Sequence, residues 1–293
     1  MVEDSEDEQT LQARKESLIR KRKNQNNTND KIIRVEKRVR FELHHDHVPP
    51  RLSRTSNDQS QYRMIDKQNK IWDGNLNHRM ACNKLLYLIE RLDFEQWRAA
   101  METGFGGFLS IRTSTIPKDL ATWLLEKFDP ASNTLKLSNN RVLEITEEDV
   151  HATLALPMGQ LEVQVASTCE PKNEYTKLLE QWRIRWNLGR TGSPKVGNMV
   201  DQILERGEHG DEFKRDFVLY IISTCIIGSM NGDCFFRILK SLVDVNQIVN
   251  YNWCAFLLQC LNDTVVEWKK NRSRYFRGPL LFIMVSGIPP KRP

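Results

Sequence analysis

The chain has 293 residues, 40% of them hydrophobic, with a mean hydropathy of −0.54. This is the composition of a folded domain diluted by polar chain. Lys and Arg number 43 against 38 Asp and Glu, a formal net charge of +5. A surplus that small does not establish nucleic-acid binding, so the distribution of charge decides. The longest apolar run, Phe217 to Gly228, falls well short of the ~20 residues of a bilayer span, so no membrane association is expected.

Residues 1–75 differ from the rest. An acidic start (Glu3, Asp4, Glu6, Asp7, Glu8) gives way to basic blocks, and does not read as a secretory signal. Arg20, Lys21, Arg22 and Lys23 form a consecutive basic run, the pattern of a nuclear-import signal. After an Asn-rich spacer come Lys31, Arg34, Lys37, Arg38 and Arg40, candidate nucleic-acid contacts. Large apolar residues are sparse here, so burial cannot offset chain entropy and a disordered basic tail is expected. His44, His45 and His47 lie close together but show no closed ligand set, so no metal is expected.

Residues 76–293 read as one multi-helix globular domain, mainly α with one small β-hairpin. Leu85, Leu88, Ile89 and Leu92 make a helical stripe, and Asp93 opens a second helix towards Met101. Gly104-Phe105-Gly106-Gly107-Phe108 is a tight apolar turn. It lacks the preceding strand and the Lys-Ser or Lys-Thr ending of a phosphate loop. Leu120, Trp123, Leu124 and Phe128 define a third helix, with Thr115 a candidate cap and Asp129-Pro130 its end. The hairpin spans 134–145 around Asn139-Asn140. Thr146 with Glu147, Glu148 and Asp149 opens another helix, on which His151 reads as a surface or capping residue.

Helices are expected near 174–187, 196–205, 211–229, 233–243 and 252–270, with 246–252 a connector. Trp253, Phe256, Leu257, Cys260, Leu261, Val265 and Trp268 form one buried stripe, capped by Asn252. Arg183, Arg185 and Arg190 beside Trp182 and Trp186 make the strongest basic-aromatic patch of the body, a candidate nucleic-acid contact. A partly solvated amphipathic helix explains the same residues equally well.

No catalytic constellation is complete. Asp233-Cys234 resembles the nucleophile pair of SUMO-type cysteine proteases, but Gly228 stands where the oxyanion glutamine belongs and Phe235 replaces the following glycine. The six cysteines, Cys82, Cys169, Cys225, Cys234, Cys254 and Cys260, show no Cys-x-x-Cys spacing and read as reduced thiols. No cofactor and no small-molecule substrate are expected.

Four motifs follow one another in order: Gly104 to Leu109; Trp123-Leu124 with Phe128-Asp129-Pro130; Thr146 to His151 with Leu156-Pro157-Met158-Gly159; and Asn252-Trp253-Cys254 with Val266-Glu267-Trp268-Lys269. Together they resemble the plant mobile domain, also labelled aminotransferase-like, over roughly residues 85–283. The resemblance implies a helical nuclear domain of transposon-derived proteins, active in chromatin silencing or genome maintenance, some relatives being fused to SUMO-protease-like enzymes. It carries over no catalytic residues, and no lysine here has a recognisable cofactor-binding context. The final Gly287 to Pro293 departs from the pattern and is read as a truncation or altered splice. The expected function is a non-enzymatic nuclear interaction module with nuclear proteins or chromatin as partners and weak nonspecific nucleic-acid binding by the tail. The alternative is an accessory domain of a SUMO-protease-type polyprotein that has lost its catalytic domain.

Overall fold

The computed structural model describes residues 76–286, apart from 139, 140, 230 and 273. The expected tail and the Asn139-Asn140 turn lie outside the described residues. Helix α1 (Cys82–Arg91) buries Leu85, Leu88 and Ile89, the spacing that predicted it. Helix α2 (Phe94–Glu102) begins at Asp93, whose side chain accepts from Gln96 N while Gln96 returns to Asp93 N. This reciprocal box satisfies two otherwise orphaned N–H donors. A 3-10 turn, Gly106–Ser110, then leads to helix α3 (Lys118–Lys127). The cap expected from Thr115 is not made. Pro117 occupies that position, and the Thr113 hydroxyl donates to the Thr115 carbonyl instead.

The expected hairpin is part of a three-stranded antiparallel sheet ordered β1-β2-β3: β1 (Phe128–Asp129), β2 (Thr134–Ser138) and β3 (Arg141–Glu144). Leaving α3, the chain goes straight into extended backbone, where Phe128 pairs with Leu135 and Asp129 with Thr134. Asn133, at φ 52, makes the return. Asparagine tolerates that left-handed conformation better than most residues.

Helices α4 (Glu147–Leu154), α5 (Glu174–Arg185), α6 (Val196–Arg206) and α7 (Asp211–Ile221) follow. The long apolar run is a core helix, as expected, but it is not uniform. After Ile221 it widens into a π-helical segment, Ile222–Ile226, closed by the Ile227 N–H on the Ile222 carbonyl. The α-helix expected at 233–243 is only a 3-10 segment, Phe236–Leu242. Its start is held back because Cys234 N bonds Pro194 O and Phe235 N bonds the Ser223 hydroxyl. Its end is held by Arg215, which donates to the carbonyls of Leu242 and Val243. The 246–252 connector contains a second 3-10 segment, Val245–Asn250. Helix α8 (Trp253–Lys270) and helix α9 (Leu280–Ser286) complete the body. Leu280 to Met284 are all buried, with α9 packed on α3 and α4.

Along α8 the buried stripe is Trp253, Cys254, Leu257, Leu258, Leu261, Val265 and Trp268. Phe256 and Cys260, expected in it, are half-buried at its margin. Asn252 caps the helix by accepting from Ala255 N, and its amide also donates to Glu147. Lys269, expected only to suit the helix's negative end, donates to the Glu126 and Phe128 carbonyls at the end of α3. Trp253 is fully buried and donates from Nε1 to the Ile248 carbonyl at 2.7 Å. Phe105 meets its indole edge-on at a centroid distance of 5.1 Å.

The glycine turn explains itself at this contact. A Cβ on Gly107 would fall 1.7 Å from the Leu154 carbonyl oxygen. Gly104 adopts φ +79 with Pro157 against it, a conformation that glycine alone takes without strain. Gly159 likewise lies against the Asn250 backbone, where a Cβ would come within 2.0 Å.

A second tie joins α5, α6 and α7. The Asp216 carboxylate, 1% exposed, accepts from the indoles of Trp182 (3.0 Å) and Trp186 (3.2 Å). Arg185 and, at 3.4 Å, Arg206 contact its other oxygen. Burial pushes the Asp216 carboxyl up from its ordinary range, and Arg185 and the two indoles oppose that shift.

Two stability measurements test these ties. Trp253→Ala should cost about 3–5 kcal/mol, as for other buried aromatics, read as a lower urea midpoint; a parent-like midpoint would place the indole outside the core. Asp216→Ala strands two guanidinium groups and two indole donors and should cost about 3–5 kcal/mol. Asp216→Asn should cost less, since its amide oxygen still accepts from the indoles. Equal losses for the two variants would show that the hydrogen bonds to Trp182 and Trp186 contribute nothing.

Candidate anion-binding cleft

Arg20, Lys21, Arg22, Lys23, Lys31, Arg34, Lys37, Arg38 and Arg40, with His44, His45 and His47, lie outside the described residues. The Arg183-Arg185-Arg190 patch is inside them, and its members have separate occupations. Trp182 and Trp186 are buried against Asp216, so neither presents a ring face for a base. Arg185 is committed to Asp216, Glu208 and Glu212. Arg183 donates to the Gly192 carbonyl and lies over the Phe236 ring. Arg190 is exposed. The patch is thus mainly a buried structural network with one exposed cation at its edge.

The structure gathers a different set of cations. A cleft of about 310 Å³ is lined by Arg79, Arg274 and Arg277, with Tyr275, Trp268, Glu267, Thr264, Ser229 and Asn231 completing its walls. Its geometry follows from how segment 274–278 is pinned. Phe276 is buried and meets Trp268 of α8 edge-on at 6.4 Å. Its N–H donates to Asn77 O at 2.7 Å, and the His78–Phe276 bridge places Arg79 beside the segment. Gly228 N donates to the Arg277 carbonyl. A Cβ on Gly228 would lie 2.9 Å from Arg277 Cα, so the close approach needs glycine. Gly278 is pressed on Thr264 in the same way, with a Cβ distance of 2.1 Å.

With Phe276 turned inward, Tyr275 and the arginines are left at the surface. Tyr275 is 48% exposed, and the Arg79 guanidinium lies 3.9 Å from its ring centroid. Arg277 is shared with Glu267 at 3.3 Å. Among the described residues, neither Arg79 nor Arg274 forms an ion pair with a carboxylate. Positive charge therefore exceeds negative charge on a fixed, partly aromatic wall, which suits an anion. Sequence reasoning passed over these residues because they follow the end of α8. The signal was present in Arg272-Ser273-Arg274-Tyr275-Phe276-Arg277, a basic-aromatic interleave. Arg79 carries no such signal, since only the fold brings it there.

The remaining chemistry is structural. Cys234 is buried and contacts the Ser193 hydroxyl, while neighbouring Asp233 pairs with Lys195. Burial pushes its thiol up to about 12, and those of Cys254 and Cys260 to about 12 as well. His151 bonds the Leu156 carbonyl, consistent with a capping role. Among the described residues no group of three His, Cys, Asp or Glu could hold a metal ion, and no helix is long and apolar enough to cross a membrane. Because thiolate, not thiol, is the nucleophile, native alkylation at about pH 8 should modify exposed Cys169 and leave Cys234 and Cys254 unmodified, as mapped by mass spectrometry. Rapid labelling of Cys234 would contradict its burial.

No curated protein and no solved structure matches the chain. The model of one family, described as Domain of unknown function (DUF8566), matches residues 78–284. The match takes in Arg79, Arg274 and Arg277 along with the glycine turn and α8. By that match over more than half its length, the chain belongs to the DUF8566 family.

Proposed function

We propose that this chain is a non-enzymatic nuclear interaction module, derived from a transposable element, that engages chromatin through protein and nucleic-acid contacts. The observation that carries the reading is the arginine cleft: a rigid helical body holds Arg79, Arg274 and Arg277 around one surface hollow. The sequence adds a second cationic element, Arg20 to Lys23 with Lys31 to Arg40. A mobile basic arm beside a fixed basic site is a common way to combine nonspecific phosphate attraction with a positioned contact. The buried Cys234 thiol also argues against the protease pattern that its Asp-Cys pair suggests. The resemblance to the plant mobile domain supplies the nuclear and transposon-derived parts of the proposal.

Two measurements test it. In a fluorescent fusion too large to diffuse through nuclear pores, replacing Arg20, Lys21, Arg22 and Lys23 by alanine should shift the signal to the cytoplasm. Unchanged nuclear accumulation would sink the import assignment. Binding of the full chain to mixed-sequence DNA should fall by orders of magnitude between about 50 and 200 mM salt, because counterion release drives it. A salt-insensitive, sequence-selective complex would refute the tail's assigned role.

A further inference from the structure

We infer that the cleft of Arg79, Arg274 and Arg277 is a binding site for single-stranded nucleic acid, seating one phosphate between the arginines and one base against Tyr275. The inference rests on the interaction-module reading and names the ligand of its body. Three features of the cleft lead to it. The first is charge: Arg79 and Arg274 have no carboxylate partner among the described residues, and only Arg277 is shared, with Glu267. Guanidinium groups suit phosphate because their planar fork of donors matches its oxygens.

The second is size. About 310 Å³ lies at the lower end of the ~300–1,000 Å³ range of ligand pockets. That space takes one nucleotide-sized unit and is too small to enclose a duplex. The third is the wall. Tyr275 is half exposed, yet its backbone is fixed between buried Phe276 and the 77–78 segment. A pre-positioned aromatic ring beside cations is the arrangement by which single strands are held, because every base offers a π-face. A phosphorylated peptide would use the arginines but gain little from the ring. Ser229 and Asn231 on the opposite wall add hydroxyl and amide groups that can reach sugar or phosphate oxygens.

Glu267 gives the site an internal control. Its carboxylate lies in the cleft, 3.3 Å from Arg277, and would repel an incoming phosphate. Removing that charge should therefore strengthen binding, an effect that loss of folding could not mimic.

The test uses the full chain and a fluorescein-labelled single-stranded oligothymidine, read by anisotropy across a salt series. The Arg79→Gln, Arg274→Gln double variant should bind about tenfold more weakly, with a salt slope lower by about 1.4, two phosphate contacts at ~0.7 each. Tyr275→Ala should lose about fivefold or more. Glu267→Gln should gain affinity severalfold. All these side chains are at the surface, so thermal unfolding of each variant should match the parent. If the parent binds but the double variant keeps its affinity and slope, the cleft is not the site, while the tail-based reading stands. If the parent does not bind at low salt, both proposals fall. If Tyr275→Ala binds as the parent while inorganic phosphate competes through the arginines, the site is a phosphate site without base contact, and the nucleic-acid assignment is overturned.

Discussion

The indole of Trp253 fixes how three distant stretches of the chain meet. It opens α8, donates to the Ile248 carbonyl and presents its edge to Phe105. Phe105 can reach it only because Gly104 and Gly107 let the turn press against Pro157 and the Leu154 carbonyl. Gly159 allows the 157–161 strap to lie on the backbone of Asn250 and to pair with residues 251 and 252. Asn252 then holds Glu147 at the start of α4. Three of the motifs behind the plant-mobile-domain resemblance are thus one packing unit. Their glycines are small because backbones cross there, and no phosphate is needed to account for them. Dense packing makes such a unit intolerant of added volume.

Charge is divided between two regimes in this body. Around Asp216 it is buried, and every participant has a partner: two indoles, Arg185, Arg206 and, through Arg185, Glu208 and Glu212. A buried ion network of this kind fixes which faces of α5, α6 and α7 meet, whatever its net energy. At the cleft the charge is open to solvent and unbalanced towards arginine. The same residue type therefore does opposite work. Arg185 has its donors occupied by protein carboxylates, whereas Arg79 and Arg274 keep theirs available for a ligand.

The cleft depends on the core in a direct way. Phe276 anchors on Trp268, and Trp268 belongs to the buried stripe of α8 that begins at Trp253. Gly228 ends the apolar run that begins in α7 and hydrogen-bonds the Arg277 backbone. A rigid helix and the end of a buried run thus hold the surface arginines on fixed supports. Such preorganisation lowers the ordering cost of binding.

The sequence alone determined the helical class, the glycine turn, the caps at Asp93, Thr146 and Asn252, and the buried stripe of α8. These are local: each follows from periodicity or from a side chain reaching backbone three residues away. Tertiary structure decided the rest. Strand β1 exists because β2 is there to pair with Phe128 and Asp129. The 236–242 segment is a 3-10 helix because Ser223, Pro194 and Arg215 take its end groups. Arg185 looked like a surface contact until Asp216, distant in sequence, was found buried beneath it. Arg79 looked like nothing at all until the bridge from His78 to Phe276 set it against Tyr275. Local pattern records what a residue can do with its near neighbours along the chain. Whether an arginine is used up by a carboxylate or left facing solvent depends on which distant side chain the fold brings beside it.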